Sequence, residues 1–359
     1  MVHYVGGTGS GNYTSISQAI DAAVSGDQII VYPGSYSPLD ITKSLTIQAK
    51  RAFVPSIVVF AEHVNLSGFI VSGGIHGISI MANQTTVSDC VILNHTYGLT
   101  VEGSYACIIG NHVFKNSYYG IWLKNAAAAQ VDSNDIYYNH EGIYVNHAYN
   151  ATISNNAIAN NTNGIHLAGT TQGTVNYNAI LDNWERGLYY CCHSEENMIT
   201  GNVFRRNEVN AWGYDGTNTW DEGSQGNYWD DNNGSSYIID DNNIDHHPLK
   251  QPHSTPAFND SIYILSPAAG QHLNGSVVIR GISEQTQPVD IRVDNGSWMR
   301  GQGNFLWQAV LNSTTMANGT HNIQARCGNA TASLSIMLAY HAGSRNSIPA
   351  INPTGILLG

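Results

Sequence analysis

A short block with the pattern glycine, apolar, variable, apolar recurs along the middle of the chain. Successive blocks are separated by 21 to 23 residues. Apolar residues alternating with variable ones predict short, half-buried strands. A fixed period of this length predicts that each coil of a repeat protein contributes one such strand. The blocks begin at Gly77, Gly98, Gly120, Gly142, Gly164 and Gly187.

A second marker with the same period precedes these blocks and consists of two asparagines that flank an Ile or Val. Amide side chains stacked in register can hydrogen-bond the coils above and below them. We therefore expect two structural asparagine ladders. The first comprises Asn111, Asn134, Asn156, Asn178 and Asn202, with Asp89 in the equivalent place one coil earlier. The second comprises Asn94, Asn116, Asn139, Asn161, Asn183 and Asn207.

These periodicities predict an all-β chain whose first domain, residues 1–253, is a right-handed parallel β-helix with coils of about 22 residues. Leucine-rich repeats require an L-x-x-L-x-L pattern that the chain lacks, and helical repeats have longer periods. In a β-helix the aliphatic residues point inward and stack at about 4.8 Å. The fold therefore accounts for both markers.

The first coils carry a different opening. Residues 13–23 predict a capped amphipathic helix, apolar at Ile16, Ala19, Ile20 and Ala23, that covers the open end of the first coil. Strands are then predicted between turn signals. They span residues 28–32, 44–49, 56–60 and 65–71.

The pattern changes from about residue 256 to strands that Gly, Asn or Pro interrupts every 8–12 residues. Six such strands predict a small β-sandwich over residues 257–342. The phrases "ILSPAAGQHLNGSVVIRG" and "VDNGSW" resemble immunoglobulin-like modules of microbial surface enzymes. The predicted strands span residues 262–265, 276–280, 290–293, 306–310, 321–326 and 333–339.

Composition restricts the partners. Only 11% of the residues are charged and the net charge is −12, so no basic stripe is available for nucleic acid or an anionic membrane. Five scattered cysteines lack zinc-ligand spacing. We therefore expect no metal and no cofactor.

The chain also carries signs of export. Thirteen Asn-x-Ser/Thr sequons fit a glycosylated exported protein. No signal peptide precedes Met1, and we interpret the sequence as a mature exported chain rather than a cytosolic one. Residues 343–359 resemble the lead-in to the membrane-anchored sorting tails of archaeal surface proteins. We expect a linker or truncated sorting tail there, and membrane contact only through such a tail.

Two regions carry a resemblance to a known family. The segment "YTSISQAIDAAVSGDQIIVYPGSYSPLDITKSLTI" is similar to the opening of NosD-like β-helices, a carbohydrate-associated family abundant on the surfaces of methanogenic archaea. "GNYWDD" and "NNIDHHPL" resemble its closing motifs, so the resemblance covers roughly residues 3–250. It implies an extracellular, cell-surface protein. The calcium-site-like stretch common between those motifs is lacking at residues 234–243.

A candidate binding surface follows from strand alternation. The variable residue of each block lies between two inward-pointing residues and is expected to face solvent. The column begins with Ser79 and Thr100, and every later member carries a ring. Rings spaced along a polymer-length groove are suited to stacking on sugars. Aromatic residues are also favoured on exposed strands without any ligand. The predicted glycan-binding residues are Trp122, Tyr144, His166, Tyr189 and Trp212.

A candidate catalytic group comes from the residue that precedes each glycine. In this column Glu141 and Arg186 lie beside the ring column, where they could cluster with His166. A polysaccharide lyase needs a cation and a group that moves a proton, whereas a hydrolase needs two carboxylates. Glu141, His166 and Arg186 are therefore the predicted catalytic residues if glycan bonds are cut.

Three functions remain open at this point. A cell-surface protein that binds a polysaccharide or glycan is preferred. A polysaccharide lyase or glycoside hydrolase is the first alternative. A surface-layer or adhesin scaffold, with other cell-surface proteins as partners, is the second. Metal delivery has little support, because no Met or Cys cluster suited to copper is visible.

Overall fold

The computed structural model describes residues 1–253, 262–267, 270–283, 287–303 and 306–338. The chain divides into two compact units, residues 1–260 and 261–359. The predicted linker or sorting tail, residues 343–359, lies outside the described residues. Within those residues, no helix is long and apolar enough to cross a membrane.

The first unit is a parallel β-helix with three faces, which confirms the predicted fold class. Face 1 is a ten-stranded parallel sheet to which each coil contributes one strand. Neighbouring strands are in register, so that Thr152 lies between Gln130 and Thr174. The strands of face 1 are Val2–Val5, Gln28–Val31, Thr46–Ala49, Asn65–Ser67, Thr86–Ser88, Cys107–Ile109, Gln130–Asp132, Thr152–Ser154, Thr174–Asn176 and Met198–Thr200.

Faces 2 and 3 form one 16-stranded sheet, because the two longest strands, Ile70–Ile80 and Val91–Val101, run through both faces. Face 2 further contains Phe53–Val54, His112–Phe114, Asp135–Tyr137, Ala157–Ala159, Ala179–Leu181, Val203–Arg205 and Tyr228–Trp229. Face 3 further contains Leu39–Ile41, Ile57–Val59, Tyr119–Lys124, Glu141–Asn146, Asn163–Ala168, Arg186–Cys191 and Val209–Gly213. An antiparallel pair, Tyr237–Asp240 and Asn243–Asp245, follows the last coil.

The block glycines are required by the close approach of successive coils. A Cβ atom on Gly142 would lie 2.5 Å from the carbonyl oxygen of Gly164 and 3.0 Å from the Asn161 amide nitrogen. The same approach recurs at the other block glycines. Beside them the inward residues, such as Ile143 and Ile165, are fully buried and stack in register. Glycine thus allows the coils to approach closely enough for the core to pack.

The two asparagine ladders form as predicted over most of their length. The Asn156 Oδ1 atom accepts hydrogen bonds from the backbone and side-chain nitrogens of Asn134, both at 2.9 Å. Its Nδ2 atom donates to Val131 O at 2.8 Å and to Asn178 Oδ1 at 2.9 Å. Each asparagine therefore satisfies backbone groups at a buried corner, where an unpaired group would be costly.

At the N-terminal end of both ladders the predicted register is wrong by one residue. Asn111 accepts from the Cys90 backbone, and Asn116 accepts from the His95 backbone. Asp89 and Asn94 instead occupy left-handed backbone positions, at φ 53° and 57°. Asp and Asn adopt the left-handed conformation more readily than most residues. Because this position directly precedes the ladder position, an Asp or Asn there can be mistaken for a ladder residue.

The closing motifs end the ladders. Asn227 extends the first ladder, and its backbone donates to Asp245 at 2.7 Å. Trp229 donates to the same carboxylate at 2.8 Å and stacks on Tyr237. A third short ladder, missed in the sequence, comprises Asn197, Asn218 and Asn243. The resemblance to the family's closing motifs therefore has a structural basis: these residues satisfy the last coil.

The N-terminal helix spans Ile16–Ala22, shorter than predicted at both ends. Ser15 is its N-cap and accepts from the Gln18 backbone at 3.2 Å. Tyr13 pairs with Val5 in a parallel bridge, so the residues before Ser15 are extended. The helix buries the predicted apolar face, comprising Ile16, Ala19 and Ile20.

The second unit contains a three-stranded and a five-stranded sheet that share one buried core. All six predicted strands are present, and the two that the prediction missed are only two residues long. The smaller sheet comprises Ile262–Ser266, Ser276–Ser283 and Leu306–Asn312. The larger comprises His272–Leu273, Ala330–Leu338, Gly319–Cys327, Asp290–Val293 and Met299–Arg300. A 3-10 turn spans Ser313–Thr315. The immunoglobulin-like character of this unit remains a prediction.

We expect the β-helix to lose stability in mild acid through His95. Burial lowers the pKa of this side chain in the folded protein. As pH falls through the ordinary histidine range, the unfolded chain takes up a proton that the folded chain resists, so the free energy of unfolding decreases. His95→Asn, which continues the ladder, should weaken this dependence. Urea unfolding at pH 7.5 and pH 5.5 would measure it.

His63→Asn is the control for the His95→Asn substitution. His63 is exposed, and asparagine readily adopts its left-handed φ of 56°, so this variant should fold normally. His63→Asn should leave the pH dependence unchanged. An equal loss of stability in acid for His95→Asn and the wild type would exclude His95 as its source.

Candidate functional site

Face 3 places all five predicted binding residues in one column. Across neighbouring parallel strands the register pairs are Trp122 with Tyr144, Tyr144 with His166, His166 with Tyr189, and Tyr189 with Trp212. Their side chains lie one above another because the coils are in register. We call this column, together with Tyr97 and Tyr119, the ring stripe.

The rings of the stripe contact one another over six successive coils. The ring centroids of Tyr144 and His166 are 4.8 Å apart, those of His166 and Tyr189 are 4.3 Å apart, and those of Tyr189 and Trp212 are 5.4 Å apart. Tyr119 stacks on Tyr144 at 4.6 Å. The stripe is therefore one continuous aromatic surface.

Tyr97 and Tyr119 were not among the predicted binding residues. They precede their block glycines, and Tyr119 lies 5.0 Å from Trp122, three positions later in the same strand. Tyr97 lies 5.6 Å from the Trp122 ring. The signal was present in the sequence as a second column of rings. What it did not reveal was that both columns belong to one surface.

The rings are half-buried, whereas the prediction had them face solvent. At a coil spacing of about 4.8 Å, rings on successive coils cannot lie side by side and instead cover one another's faces. The column is thus exposed mainly at its end, where Trp212 is 41% exposed. Ser79 and Thr100, predicted to face solvent in the first coils of the column, are buried.

A buried carboxylate lies within the stripe. Glu141 is 7% exposed, and its Oε1 atom accepts from Asn163 Nδ2 at 3.1 Å. Its Oε2 atom lies 3.7 Å from His166 Nδ1, beyond hydrogen-bond distance, and has no hydrogen-bond partner among the described residues. Trp122 Nε1 and Asn163 Oδ1 are likewise buried and unpartnered there. Donors and acceptors thus accompany the rings.

Arg186 lies at the exposed end of the stripe. Its guanidinium carbon is 5.1 Å from the Tyr189 ring centre and 5.0 Å from that of Trp212, and the group pairs with Glu185 at 3.2 Å. Across the parallel strands Asn163 is the register partner of both Glu141 and Arg186 and therefore lies between them. The structure therefore brings Glu141 and His166 together, while Arg186 lies two coils from Glu141, about 10 Å away.

The Tyr144 and Tyr189 hydroxyls of the stripe and the neighbouring Cys191 thiol remain protonated near neutral pH. Burial raises the pKa of the Tyr144 and Tyr189 phenols, so both act as neutral hydrogen-bonding groups. Burial also raises the pKa of the Cys191 thiol to about 12, and its Sγ atom lies 3.5 Å from His166 Nε2. Among the described residues, no group of three or more His, Cys, Asp or Glu side chains could hold a metal ion.

Comparison with solved structures gives several similar folds. Pectate lyase Pel9A is 15% identical over 62% of this chain and 80% of that chain, with a TM-score of 0.48. The Azotobacter vinelandii mannuronan C-5 epimerase AlgE4 A-module is 10% identical over 57% and 69%, with a TM-score of 0.49. An alginate lyase from Paenibacillus sp. str. FPU-7 is 11% identical over 56% and 91%, with a TM-score of 0.37.

Comparison at the level of sequence identifies the family. No curated protein matches the chain. The family model described as "Periplasmic copper-binding protein (NosD)" matches residues 17–234, which is more than half of the chain and includes the ring stripe. The matched region begins within the N-terminal helix and ends beyond the "GNYWDD" motif. It confirms the predicted family but is shorter than the predicted extent of residues 3–250 and stops before the "NNIDHHPL" motif. The chain therefore belongs to the NosD family.

Proposed function

We propose that this protein binds a polysaccharide along the ring stripe, outside the cytoplasm and at the cell surface. The observation that carries the proposal is the unbroken series of ring contacts over six coils of one face. A surface that repeats with every coil suits a polymer whose units also repeat. Aromatic rings supply apolar contact area, and tyrosine and tryptophan add hydrogen-bonding groups.

The polar groups of the stripe support a sugar ligand rather than an apolar one. Sugars combine apolar C–H faces with hydroxyls that both donate and accept hydrogen bonds. Trp122 Nε1 is an unused donor, and Asn163 Oδ1 and Glu141 Oε2 are unused acceptors. Because all three atoms are buried, a sugar hydroxyl would reach them only if the rings above them shift. Because central rings cover one another, we infer that the glycan contacts ring edges and hydroxyls there and stacks on the exposed indole of Trp212.

The copper in the family's description is not supported by the side chains that the structure describes. Copper sites use clustered His, Cys or Met ligands. Beside the stripe, His166 Nε2 and Cys191 Sγ lie 3.5 Å apart and supply two such ligands. No third His, Cys, Asp or Glu ligand completes a group within the described residues. We therefore assign no copper-dependent step.

One observation favours a second candidate function, polysaccharide cleavage. The buried Glu141 carboxylate lies 3.7 Å from His166. If glycan bonds are cut, His166 would transfer the proton. Glu141 would orient the His166 imidazole and stabilise its positive charge, and Arg186 would neutralise a sugar carboxylate two coils away from Glu141. A surface scaffold that holds other cell-surface proteins is the remaining alternative.

Trp212→Ala is expected to weaken glycan binding about tenfold and to leave the melting temperature nearly unchanged, because the indole is exposed and terminal. A glycan array followed by affinity measurement on each bound polysaccharide would measure the effect. Each bound polysaccharide would also be assayed for new reducing ends and unsaturated products.

Trp184→Ala is the matched control, because Trp184 is 64% exposed and lies outside the stripe. The glycan affinity of the Trp184→Ala variant should equal that of the wild type. If Trp212→Ala also binds like the wild type, the stripe is not the glycan site and the scaffold alternative takes its place. Released products that disappear in Glu141→Gln would favour the enzyme.

A further inference from the structure

Positive charge is concentrated on the outward face of the five-stranded sheet in the second unit. Three of the chain's nine arginines lie there, Arg292, Arg300 and Arg326, in a chain whose net charge is −12. Arg292 and Arg326 each follow a buried residue, Ile291 and Ala325, and therefore lie on the opposite side from the core. Arg300 is the register partner of Asp290, which also pairs with Arg326.

An indole ring lies between these charges. The guanidinium carbon of Arg292 is 4.5 Å from the centre of the Trp298 ring, and that of Arg326 is 4.1 Å from it. Each contact is a favourable cation–π interaction, but the two guanidiniums repel each other. An anion bound beside Arg292 would relieve that repulsion.

The carboxylates nearby do not balance the arginines. Asp290 accepts from Arg300 at 2.7 Å and from Arg326 at 3.4 Å. Arg292 donates to the neutral Gln324 side chain at 2.6 Å, and no carboxylate pairs with it in the described part of the chain. Asp294, the acidic residue that directly follows the strand, is paired with His321 at 2.7 Å and is not available.

A recess of about 320 Å³ opens beside Trp298. Arg292 and Gln324 line it on one side, and Thr331 and Ser333 line it on the other. The walls thus offer one guanidinium, one amide and two hydroxyls next to the indole. These groups match a ring that carries hydroxyls and an acidic substituent.

We propose that this recess, the Trp298 recess, is a second ligand site that binds an acidic sugar of a polysaccharide. The sugar carboxylate pairs with the Arg292 guanidinium, whose planar geometry fits a carboxylate. The apolar face of the sugar packs against the part of the Trp298 indole that lines the recess and is not covered by the guanidiniums, and its hydroxyls bond to Gln324 and Ser333. An acidic peptide would satisfy the charge but would not use the hydroxyl-lined recess. This site is independent of the ring stripe.

The test is calorimetric binding of a galacturonate tetramer to the full chain. Arg292→Gln and Trp298→Ala should each weaken binding about tenfold. Arg292→Lys keeps the charge but not the planar geometry, so its affinity should fall between those of the wild type and Arg292→Gln. Arg280→Gln, an exposed arginine on the other sheet, should bind as the wild type does.

Two further probes define the ligand class. A neutral glucose tetramer should bind no differently to Arg292→Gln than to the wild type. A glutamate tetramer should bind much more weakly than the galacturonate tetramer. The proposal is overturned if the wild type does not bind galacturonate, if Arg292→Gln binds it unchanged, or if glutamate binds equally well. Should Trp298→Ala unfold the second unit, the arginine variants carry the test.

Discussion

Asn156→Ala is expected to lower the free energy of unfolding by about 4 kcal/mol or more. The Asn156 side chain makes four hydrogen bonds, two accepted from Asn134 and one donated to each of Val131 and Asn178. Alanine would leave these buried partners unsatisfied, at a cost of about 1–3 kcal/mol each before relaxation. Urea unfolding followed by circular dichroism would measure the loss.

The exposed Asn233 provides the control, because it lies in a turn after the last coil. Asn233→Ala should change stability by no more than about 0.5 kcal/mol. A similarly small effect for Asn156→Ala would mean that water replaces the ladder amide without cost. The ladders would then be a consequence of coil stacking and not a source of its stability.

Gly142→Ala is expected to destabilise the β-helix by about 3 kcal/mol, although it adds a single methyl group. The new Cβ would lie 2.5 Å from the Gly164 carbonyl oxygen and 3.1 Å from Ile158 Cγ2. The carbonyl belongs to the next coil and cannot rotate away without breaking its own pairing. Thermal unfolding would show a lower midpoint.

Gly234→Ala is the matched control, because a Cβ at that exposed position meets its nearest neighbour at an ordinary 3.4 Å. It should unfold as the wild type does. If Gly142→Ala matches this control, the coils can separate locally, and the close spacing between them is not what requires glycine in each block.

The architecture could be read from the sequence because the determining features are periodic. Aliphatic residues such as Ile143 and Ile165 recur once per coil, as do Asn134 and Asn156, and residues that recur with one period must stack when the chain coils with that period. The apolar face of the N-terminal helix and the strands of the second unit depend on local propensity and were likewise predictable. The start of the helix at Ser15 was not, because Tyr13 pairs with Val5 in a β-bridge.

The register at the ends of the ladders was less predictable. Asn94 resembles a ladder residue in type and position, yet His95 holds the ladder place and Asn94 the left-handed one. Asparagine is favoured in both roles, and the two positions are adjacent. Only the hydrogen bond from the next coil distinguishes them.

The candidate sites depended still more on the tertiary structure. The ring column was predicted, but not that Tyr119 joins it or that the rings cover one another. The predicted catalytic cluster was also divided, because Arg186 lies two coils from Glu141. Trp298 and its arginines come from separate strands and carry no shared sequence signal. The sequence alone determined the fold, because the repeat encodes which residues point inward. Which outward side chains meet was decided by coil spacing and strand pairing, since contacts between distant segments exist only once the chain is folded.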